Sequence, residues 1–331
     1  FLIYINKISF SISKFLHISK KIIKKNNYIL GDEVQNFESN FAKFIGSKYA
    51  IGCGNGTDAL TIALKSLNLP KDSEVIIPAM TYCSTAFSII NCGLKPVLVD
   101  IEKDKSCIDV NEIKNKITSK TKVIMPVHLY GSAADLGSIK RLIKNNKSKI
   151  YLIDDCSQAH GAIDESDKLK RMIGSTSDIS CFSLYPGKNL GAYGDAGVIT
   201  TNNKRFYEIL SNLRNLGSTK KFIHDQIGQN SRLDTIQAAI LNTKFKDLDF
   251  LNRRRVKIAN YYDNLILNKK ITKLSYSKGC VYHQYVILHD IKNLELKLKK
   301  QGIQSRKYYP VPLNKFNAYK DNNAYQHSEY C

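Results

Sequence analysis

The stretch CFSLYPGKNLGAYGDAG, residues 181–197, places a single lysine in a glycine-rich turn directly after a strand-like run. Turn glycines permit backbone conformations that are closed to other residues, and they let a ligand approach the main chain closely. An amine held there could form a Schiff base with an aldehyde cofactor. Taken alone, however, a lysine such as Lys188 is more often a solvated surface residue. The turn makes Lys188 a candidate nucleophile.

Around this turn, short apolar runs alternate with helical stretches. The predicted strands are KYAIGC (48–53), EVIIP (74–78), KPVLVD (95–100), KVIMPVH (122–128), IYLIDD (150–155), ISCFSLY (179–185) and GVITT (197–201). Between them lie helical segments such as DALTIALKSL (58–67), which has Leu60, Ala63, Leu64 and Leu67 on one face. Strands alternating with helices predict βαβ units and an α/β domain with a mainly parallel sheet covered on both sides.

The pattern changes after Asn230. Residues 232–267 have helical spacing throughout and predict one long helix. A small α+β unit follows, with CVYHQYVILH (280–289) as a strand and NLELKLKKQG (293–302) as a helix. We therefore expect a large α/β domain over residues 1–244, including an N-terminal arm, and a small C-terminal α+β domain over residues 245–331.

The chain carries a formal net charge of +21. A nucleic-acid-binding protein concentrates such charge in a patch or stripe. Here the lysines are scattered, apart from a short cluster at Lys20, Lys21, Lys24 and Lys25. Lys, Asn and Ile are abundant together, which favours a compositional bias on a solvated surface over nucleic-acid binding. A positive field would still help to attract an anionic nucleotide substrate.

Cysteine spacing and hydropathy indicate a reduced, cytosolic protein without a membrane span. The eight cysteines lie singly and form no C-x-x-C pair, whereas disulfide scaffolds are short and dense in cysteine. No apolar run reaches the roughly 18 residues that a membrane helix needs. Lys7 and Lys14 interrupt the apolar opening and no small-residue cleavage site follows it, so we expect no signal peptide. Because the chain lacks an initiator Met and ends abruptly at Cys331, we expect a fragment.

A second informative segment is GCGNGTDAL, residues 52–60, where Gly56 and Thr57 precede an amphipathic helix. Helix N-termini offer free backbone N–H groups and a partial positive charge, which suit a phosphate group. Gly56 would let the backbone approach the anion, and Thr57 would add a hydroxyl. A plain helix cap explains the same residues as well, because threonine is a common N-cap.

A third segment, YLIDDCSQAHG from Tyr151, ends an apolar strand with Asp154 and Asp155. In parallel α/β sheets, ligands bind beyond the carboxyl ends of the strands. We expect one carboxylate to face a ligand, such as a protonated pyridine nitrogen, and the other to face a structural partner. A metal held by Asp155 and His160 is the rival interpretation. We expect none, because no nearby residues complete a usual ligand set.

Six motifs occur in the order NGTDAL, VHLYG, DDCSQAHGA, FSLYPGKNLGAYGDAG, NSRLDTIQAAIL and YYPVPLN. Together they resemble the DegT/DnrJ-type sugar aminotransferases, from about Tyr28 to the end of the chain. The resemblance implies the PLP-dependent transferase fold type I (the aspartate-aminotransferase architecture), and it implies pyridoxal 5′-phosphate (PLP) as cofactor.

The resemblance also implies roles for individual residues at the cofactor. Lys188 would bind PLP covalently and move a proton between substrate and cofactor carbons. Asp155 would pair with the pyridinium nitrogen, Gln158 would bond the ring hydroxyl and Tyr82 would stack on the ring. A core tyrosine is the alternative for Tyr82. The phosphate would be bound by Gly56, Thr57 and Ser183.

Further residues are implied at the substrate and at a subunit interface. Asn230 matches a position that reaches the cofactor phosphate of the neighbouring subunit, so a homodimer with shared active sites is expected. Arg232 would bind an anion of the substrate, although a salt bridge on the helix surface is equally compatible with it. Tyr309 and His160 are candidates on the substrate side. His160 is expected behind the residues that touch ligand, since a histidine there is often a hydrogen-bonded core residue.

The chain departs from the family at Gln229, Tyr308 and Asn314, where Tyr, His and His are usual. The family also normally continues beyond the position of Cys331, so the resemblance implies a truncated small domain. The resemblance implies transfer of an amino group from L-glutamate to a keto-sugar nucleotide for amino-sugar and polysaccharide biosynthesis. A dTDP-linked 3-keto-6-deoxyhexose is the first choice. A UDP-linked 3-keto uronic acid and a 4-keto-sugar are the alternatives. A sugar dehydratase is disfavoured because that branch replaces the lysine with histidine. The alternative function outside the enzymes is that of a non-catalytic regulatory protein with the same fold.

Overall fold

A computed structural model of the chain describes residues 12–320 and 323–330. Its centre is a seven-stranded sheet with the order β1-β7-β6-β5-β4-β2-β3. The strands are β1 Tyr49–Cys53, β2 Glu74–Pro78, β3 Lys95–Val99, β4 Thr121–Ile124, β5 Tyr151–Asp155, β6 Ile179–Ser183 and β7 Gly197–Thr201. Only β7 runs antiparallel to its neighbours, β1 and β6. The predicted α/β class with a mainly parallel sheet is confirmed.

Helices cover the sheet and continue into the C-terminal part. They are α1 Ile12–Lys25, α2 Asp32–Ile45, α3 Gly56–Ser66, α4 Cys83–Asn91, α5 Val110–Lys116, α6 Leu136–Asn145, α7 Lys204–Leu213, α8 Thr235–Phe245, α9 Leu248–Leu265, α10 Leu294–Lys300 and α11 Gln326–Tyr330. Short two-stranded units are formed by β8 Ser218–Lys220 with β9 Ile223–His224, β10 Ile271–Lys273 with β11 Ile287–His289, and β12 Lys315–Phe316 with β13 Tyr319–Lys320. No helix in residues 12–320 and 323–330 is long and apolar enough to cross a membrane.

The two faces of the sheet belong to two separate cores. In β2, Ile76 packs in the core that contains Phe37 and Phe41 of α2. Its neighbours Val75 and Ile77 pack in the core that contains helix α3. Successive strand side chains point to opposite faces, so a strand covered on both sides has to be apolar at every position. This explains why the strands are continuous apolar runs.

The long helix predicted over residues 232–267 is wrong, because α8 ends at Phe245 and α9 begins at Leu248. Phe245 packs edge-on against Phe44, with ring centroids 5.1 Å apart, which holds the end of α8 against α2. The Asp247 N–H then closes a turn on the Lys244 carbonyl at 3.1 Å. Side-chain spacing continues through the break, so periodicity alone could not locate it. The expected domain limit at 244/245 falls just before the last residue of α8 and remains a prediction.

The strand predicted over residues 280–289 is also too long, because only Ile287–His289 pairs, with β10. The preceding residues bond elsewhere. The Val281 N–H donates to the Gly131 carbonyl at 3.1 Å, and the Gln284 N–H to the Tyr130 carbonyl at 3.4 Å. This segment therefore lies against the loop after β4. The opening residues with Lys7, which bear on the signal-peptide expectation, and Cys331 lie outside the described residues.

Candidate active site

The start of helix α3 lies against the carboxyl end of strand β6. A Cβ atom added at Gly56 would lie 2.6 Å from the Ser183 Cβ, so a side chain at Gly56 would collide with Ser183. Asn55 is the N-cap of the helix, and its side chain accepts from the Asp58 N–H at 2.8 Å. Among the residues described, the N–H groups of Gly56 and Thr57 have no protein partner. These two donors are available to an anion.

Thr57 does not cap the helix, so the plain-cap interpretation of this residue is wrong. Its hydroxyl lies 2.8 Å from the Ser84 hydroxyl, which joins the first turn of α3 to that of α4. Ser183 lies against Gly56, so hydroxyl groups from three segments belong to residues at or next to the two free backbone donors. The arrangement suits a phosphate group, which needs several converging donors.

At the end of β5, Asp155 is oriented by two hydrogen bonds. The Thr85 hydroxyl donates to Oδ2 at 3.0 Å, and the Ser157 N–H donates to Oδ1 at 3.1 Å. The carboxylate is only 5% exposed. A buried carboxylate held in this way can pair with a cationic ring nitrogen, because the pairing compensates its desolvation.

Asp154 has other partners. Its Oδ2 accepts from the Ser177 hydroxyl at 2.6 Å and lies 3.6 Å from Nε2 of His128. Within the described residues, three side chains are close enough together to hold a metal ion. They are His128, Asp154 and Cys156, whose possible ligand atoms lie within 4.8 Å of one another. Asp155 and His160 do not belong to that group, so the metal site considered for that pair is not formed.

The Lys188 turn follows β6 directly. The Lys188 N–H donates to the Tyr185 carbonyl at 2.9 Å and closes the turn. Burial lowers the pKa of the Lys188 amine to about 8, and the negative charge of Asp155 acts in the opposite direction. Within residues 12–320 and 323–330, the amine has no hydrogen-bond or ion-pair partner. A half-buried, partly neutral amine of this kind is suited to nucleophilic attack.

Gln158 is fixed by two neighbours from distant parts of the chain. Its Oε1 accepts from the Tyr130 N–H at 2.6 Å, and its Nε2 donates to the Tyr309 hydroxyl at 3.1 Å. Burial raises the pKa of Tyr309, so its hydroxyl stays protonated. The centroids of the Tyr309 and Tyr82 rings lie 5.9 Å apart. Tyr82 is 57% exposed to solvent. Tyr82 is thus accessible and lies beside Tyr309, which bonds to Gln158.

His160 is completely buried and tilts against Phe182, with ring centroids 5.5 Å apart. Burial, with a contribution from Lys188, lowers the pKa of His160 to about 3. No described side chain hydrogen-bonds either ring nitrogen. His160 is therefore a neutral residue behind the site and does not face a ligand directly.

Asn230 and Arg232 flank Ser231, which bonds to the start of α3. The Ser231 hydroxyl accepts from the Gly54 N–H at 3.0 Å and donates to Asp58 at 2.6 Å. Asn230 itself is exposed. Arg232 donates to the Asn215 side chain at 3.3 Å, and it has no ion pair within the described residues. The surface salt bridge considered for Arg232 is therefore not formed.

Sequence reasoning missed several residues that support the site. Thr85 holds Asp155 and lies one helical turn beyond Tyr82, so its spacing could have identified it. Tyr130 has a left-handed backbone conformation with φ of 58°, and nothing in its neighbourhood along the chain marks that. Asn189 and His283 are hydrogen-bonded to each other although they are far apart in sequence. These contacts depend on tertiary folding.

The residues present fit PLP. Free helix donors beside Ser183 suit its phosphate, the Asp155 carboxylate suits its ring nitrogen, and the half-buried Lys188 amine suits its aldehyde. Gly56 also fits, because only glycine lets the start of α3 lie this close to Ser183. The chemistry that this arrangement supports is transfer at an aldehyde cofactor.

Comparison with known proteins agrees with this chemistry. Residues 12–330 match the DegT/DnrJ/EryC1/StrS aminotransferase family, and the chain belongs to it. It is an aminotransferase of PLP-dependent fold type I, and its cofactor is PLP.

Individual relatives cover most of the chain. A dTDP-3-amino-3,6-dideoxy-alpha-D-galactopyranose transaminase from Aneurinibacillus thermoaerophilus is 43% identical, over 91% of this chain and 82% of the relative. A protein from Geobacillus stearothermophilus named pleiotropic regulatory protein is 38% identical, over 91% of this chain and 81% of the relative. The crystal structure of DesV from S. venezuelae, in complex with a ketimine intermediate, is similar with a TM-score of 0.91 and 32% identity, over 96% of this chain and 86% of that one.

Proposed function

We propose that the protein transfers an amino group from L-glutamate to carbon three of a keto-sugar nucleotide, first of all a dTDP-linked 3-keto-6-deoxyhexose. The observation that carries this proposal is the half-buried Lys188 amine, whose pKa is raised by the charge of the oriented Asp155 carboxylate and lowered more strongly by desolvation. The choice of sugar is supported by the relative from A. thermoaerophilus, which is named for a dTDP-linked 3-amino-3,6-dideoxy sugar. The product would serve amino-sugar and polysaccharide biosynthesis.

The chain's own residues would divide the work at the cofactor. PLP, when bound, supplies an aldehyde to carry the amino group and a ring that withdraws electrons. Asp155 would keep the ring nitrogen protonated, and the Thr85 hydroxyl would hold that carboxylate in place. Nζ of Lys188 would hold the aldehyde and then, once released from it, take and return the proton at the reacting carbons.

Gln158 would donate a hydrogen bond from its side-chain amide to the ring hydroxyl of PLP. Its Oε1 is already occupied by the Tyr130 N–H, so only the Nε2 hydrogens remain for ligands. One of them reaches Tyr309 and the other would reach the ring hydroxyl. Tyr82 would cover the ring face, while Gly56, Thr57 and Ser183 would bind the phosphate.

The substrate side is built from residues of several segments. Tyr309 would present its hydroxyl to the sugar, since it lies between Gln158 and the exposed Tyr82. Arg232, which has no carboxylate partner in the described part of the chain, would bind a substrate anion. His160 would support this side from behind, because it is fully buried.

A homodimer with shared active sites is part of the proposal. Asn230 is exposed next to Ser231, so a second copy could receive it. Large apolar side chains are exposed just before it, notably Phe222 at 84% and Ile227 at 93%. Apolar groups this exposed are typical of an interface that another subunit covers. The free cysteines of the described residues fit a cytoplasmic location.

The second candidate is a regulatory protein on the same fold, favoured by the relative from G. stearothermophilus. It would need no working nucleophile. Lys188, whose amine has a lowered pKa, and the oriented Asp155 carboxylate instead form a site suited to chemistry.

The decisive experiment incubates the PLP-loaded protein and L-glutamate with a panel of keto-sugar nucleotides. The panel contains a dTDP-linked 3-keto-6-deoxyhexose, a UDP-linked 3-keto uronic acid and a 4-keto-sugar nucleotide, with product masses as the readout. We expect the first to give an amino sugar and 2-oxoglutarate in equal amounts. Amination of another panel member alone would overturn the choice of sugar. Failure of every member, together with no release of 2-oxoglutarate, would favour the regulatory candidate.

A further inference from the structure

A buried polar network begins at Asn189, the residue directly after Lys188. The Asn189 Nδ2 donates to Oδ1 of Asn252 at 2.9 Å and to the Val281 carbonyl at 3.2 Å. The Asn189 Oδ1 lies 3.1 Å from Nδ1 of His283. Asn189 and Asn252 are only 6% and 7% exposed. Every hydrogen-bonding group of the Asn189 side chain is thus engaged.

These contacts determine the state of His283. Since both Nδ2 hydrogens of Asn189 go to carbonyl-type acceptors, its Oδ1 must be the acceptor toward His283. Nδ1 of His283 therefore carries the hydrogen. Burial, with the positive charges of Lys188 and Arg255, lowers the pKa of His283 well below its usual value. His283 is neutral and acts through Nδ1 as a donor.

The network joins segments that are distant in sequence. Asn252 lies in α9, and its Nδ2 donates to the His160 carbonyl at 2.8 Å. The Val281–Gln284 segment also bonds to Tyr130 and Gly131, and Tyr130 in turn holds Gln158. The turn with Lys188, the loop after β5 and the C-terminal part therefore share one set of buried hydrogen bonds.

Lys188 needs such support, because its amine has no hydrogen-bond partner among the described residues. Its position depends on the backbone of the turn. Hydrogen bonds between main-chain groups hold the turn: the Lys188 N–H donates to the Tyr185 carbonyl at 2.9 Å, and the Ala192 N–H donates to the Leu184 carbonyl at 2.8 Å. Asn189 supplies three side-chain contacts immediately beside it.

We propose that Asn189 is a positioning residue for Lys188, and that His283 and Asn252 act through it. The inference rests on the proposed role of Lys188. It assigns to His283 the function of a hydrogen-bond donor that keeps the lysine turn in place. Loss of this support should displace the amine, and a displacement of about 1 Å can cost a factor of about 100 in rate.

Paired substitutions at His283 test this assignment. In His283→Asn the side-chain amide replaces the Nδ1 donor, whereas in His283→Gln it reaches the position of Nε2 instead. Asn189→Ala removes all three side-chain contacts of Asn189 in the network. If that variant does not fold, Asn252→Ala is used instead, because of those three contacts it removes only the one from Asn189 Nδ2 to α9. The matched control is Asn242→Ala, which removes two hydrogen bonds to Glu33 elsewhere in the chain. Each PLP-loaded protein is assayed for kcat, KM, melting temperature and visible circular dichroism of the cofactor band.

We expect Asn189→Ala and His283→Gln to lower kcat about 100-fold and to weaken the dichroism, with KM changed less than about threefold. His283→Asn should stay within about tenfold of the wild-type kcat. The control should change only the melting temperature. The inference is overturned if Asn189→Ala likewise loses only melting temperature, or if His283→Asn and His283→Gln lose kcat equally. Normal turnover by Lys188→Ala would instead refute the proposed function itself.

Discussion

Asp154 and Asp155 are adjacent at the end of β5, yet their carboxylates bond to different parts of the fold. Asp154 accepts from the Ser177 hydroxyl at 2.6 Å and is completely buried. Asp155 accepts from the Thr85 hydroxyl at 3.0 Å, on the side of helix α4. Because successive side chains of a strand point to opposite faces, only one of the two can serve the site at the strand end. This separation makes their substitutions a controlled pair.

Asp155→Ala should lower kcat at saturating PLP by a factor of about 100 or more, because the ring nitrogen would lose its buried counter-charge. Asp154→Ala should keep most of the rate and lower stability by about 1–3 kcal/mol, because Ser177 would lose its buried partner. Steady-state kinetics and thermal unfolding of both proteins separate the two effects. Equal and mild rate losses would contradict the roles given to the two carboxylates.

The amine of Lys188 predicts a specific pH dependence for cofactor loading. Its pKa is lowered to about 8 because burial disfavours the charged ammonium. The neutral amine is the nucleophile, so the rate at which apoprotein takes up PLP should rise with pH, with a midpoint near 8. Asp155 raises this pKa, so Asp155→Ala should move the midpoint to lower pH. Stopped-flow absorbance measures the rate, and a midpoint near the 10.5 of a free lysine would contradict the prediction.

The chemical identity of the Lys188 adduct can be tested separately. Borohydride reduction of the loaded protein should fix the cofactor on the peptide that contains Lys188, as read by mass spectrometry. Lys188→Ala should show neither the label nor the visible absorbance. A label on another lysine would contradict the assignment.

The sheet could be predicted from sequence because its physical cause is local. Strand β2 matches the predicted EVIIP at both ends, since a strand buried on both faces must be apolar throughout. The break between α8 and α9 could not be predicted, because it is imposed by packing of Phe245 against α2. Likewise, residues 280–286 have the composition of a strand but bond to the loop at Tyr130 and Gly131.

The residues of the site also differ in how well the sequence predicts them. Lys188, Asp155 and Gly56 lie in motifs where glycines, strand ends and helix starts mark a ligand position within a few residues. Thr85, Asn189 and His283 contribute through contacts that close only when distant segments meet. Sequence reasoning therefore identifies the groups that would touch the cofactor better than the groups that hold them.

His160 predicts an acid-sensitive stability. Its pKa falls from 6.5 to about 3 on folding, so between these values the unfolded chain binds a proton that the folded chain does not. Stability is therefore lost as the pH falls from 6.5 toward 3, by up to about 1.4 kcal/mol per pH unit. His160→Leu removes this contribution and should reduce the loss of melting temperature between pH 7 and pH 5. An unchanged loss would mean that His160 is not the buried neutral group described.

Two inactive proteins should restore activity to each other if the active site is shared between subunits. Lys188→Ala lacks the nucleophile, and Asn230→Asp places a negative charge beside the phosphate of the neighbouring site, which should weaken PLP binding. In a mixed dimer, one site collects both defects and the other is intact. After full exchange of an equal mixture, about one quarter of wild-type activity should return, since half of the dimers are mixed and each has one intact site.

The matched control for this experiment mixes Lys188→Ala with Asp155→Ala. Both residues belong to the same subunit's part of the site, so every site in this mixture keeps one defect and activity should stay absent. Sedimentation establishes that the subunits are dimeric and that they exchange. The shared site would be refuted if exchange were complete and the Lys188→Ala and Asn230→Asp mixture remained inactive, or if each protein sedimented as a monomer. It would also be refuted if Asn230→Asp alone bound PLP and turned over normally, because the charge beside the phosphate would then have no effect.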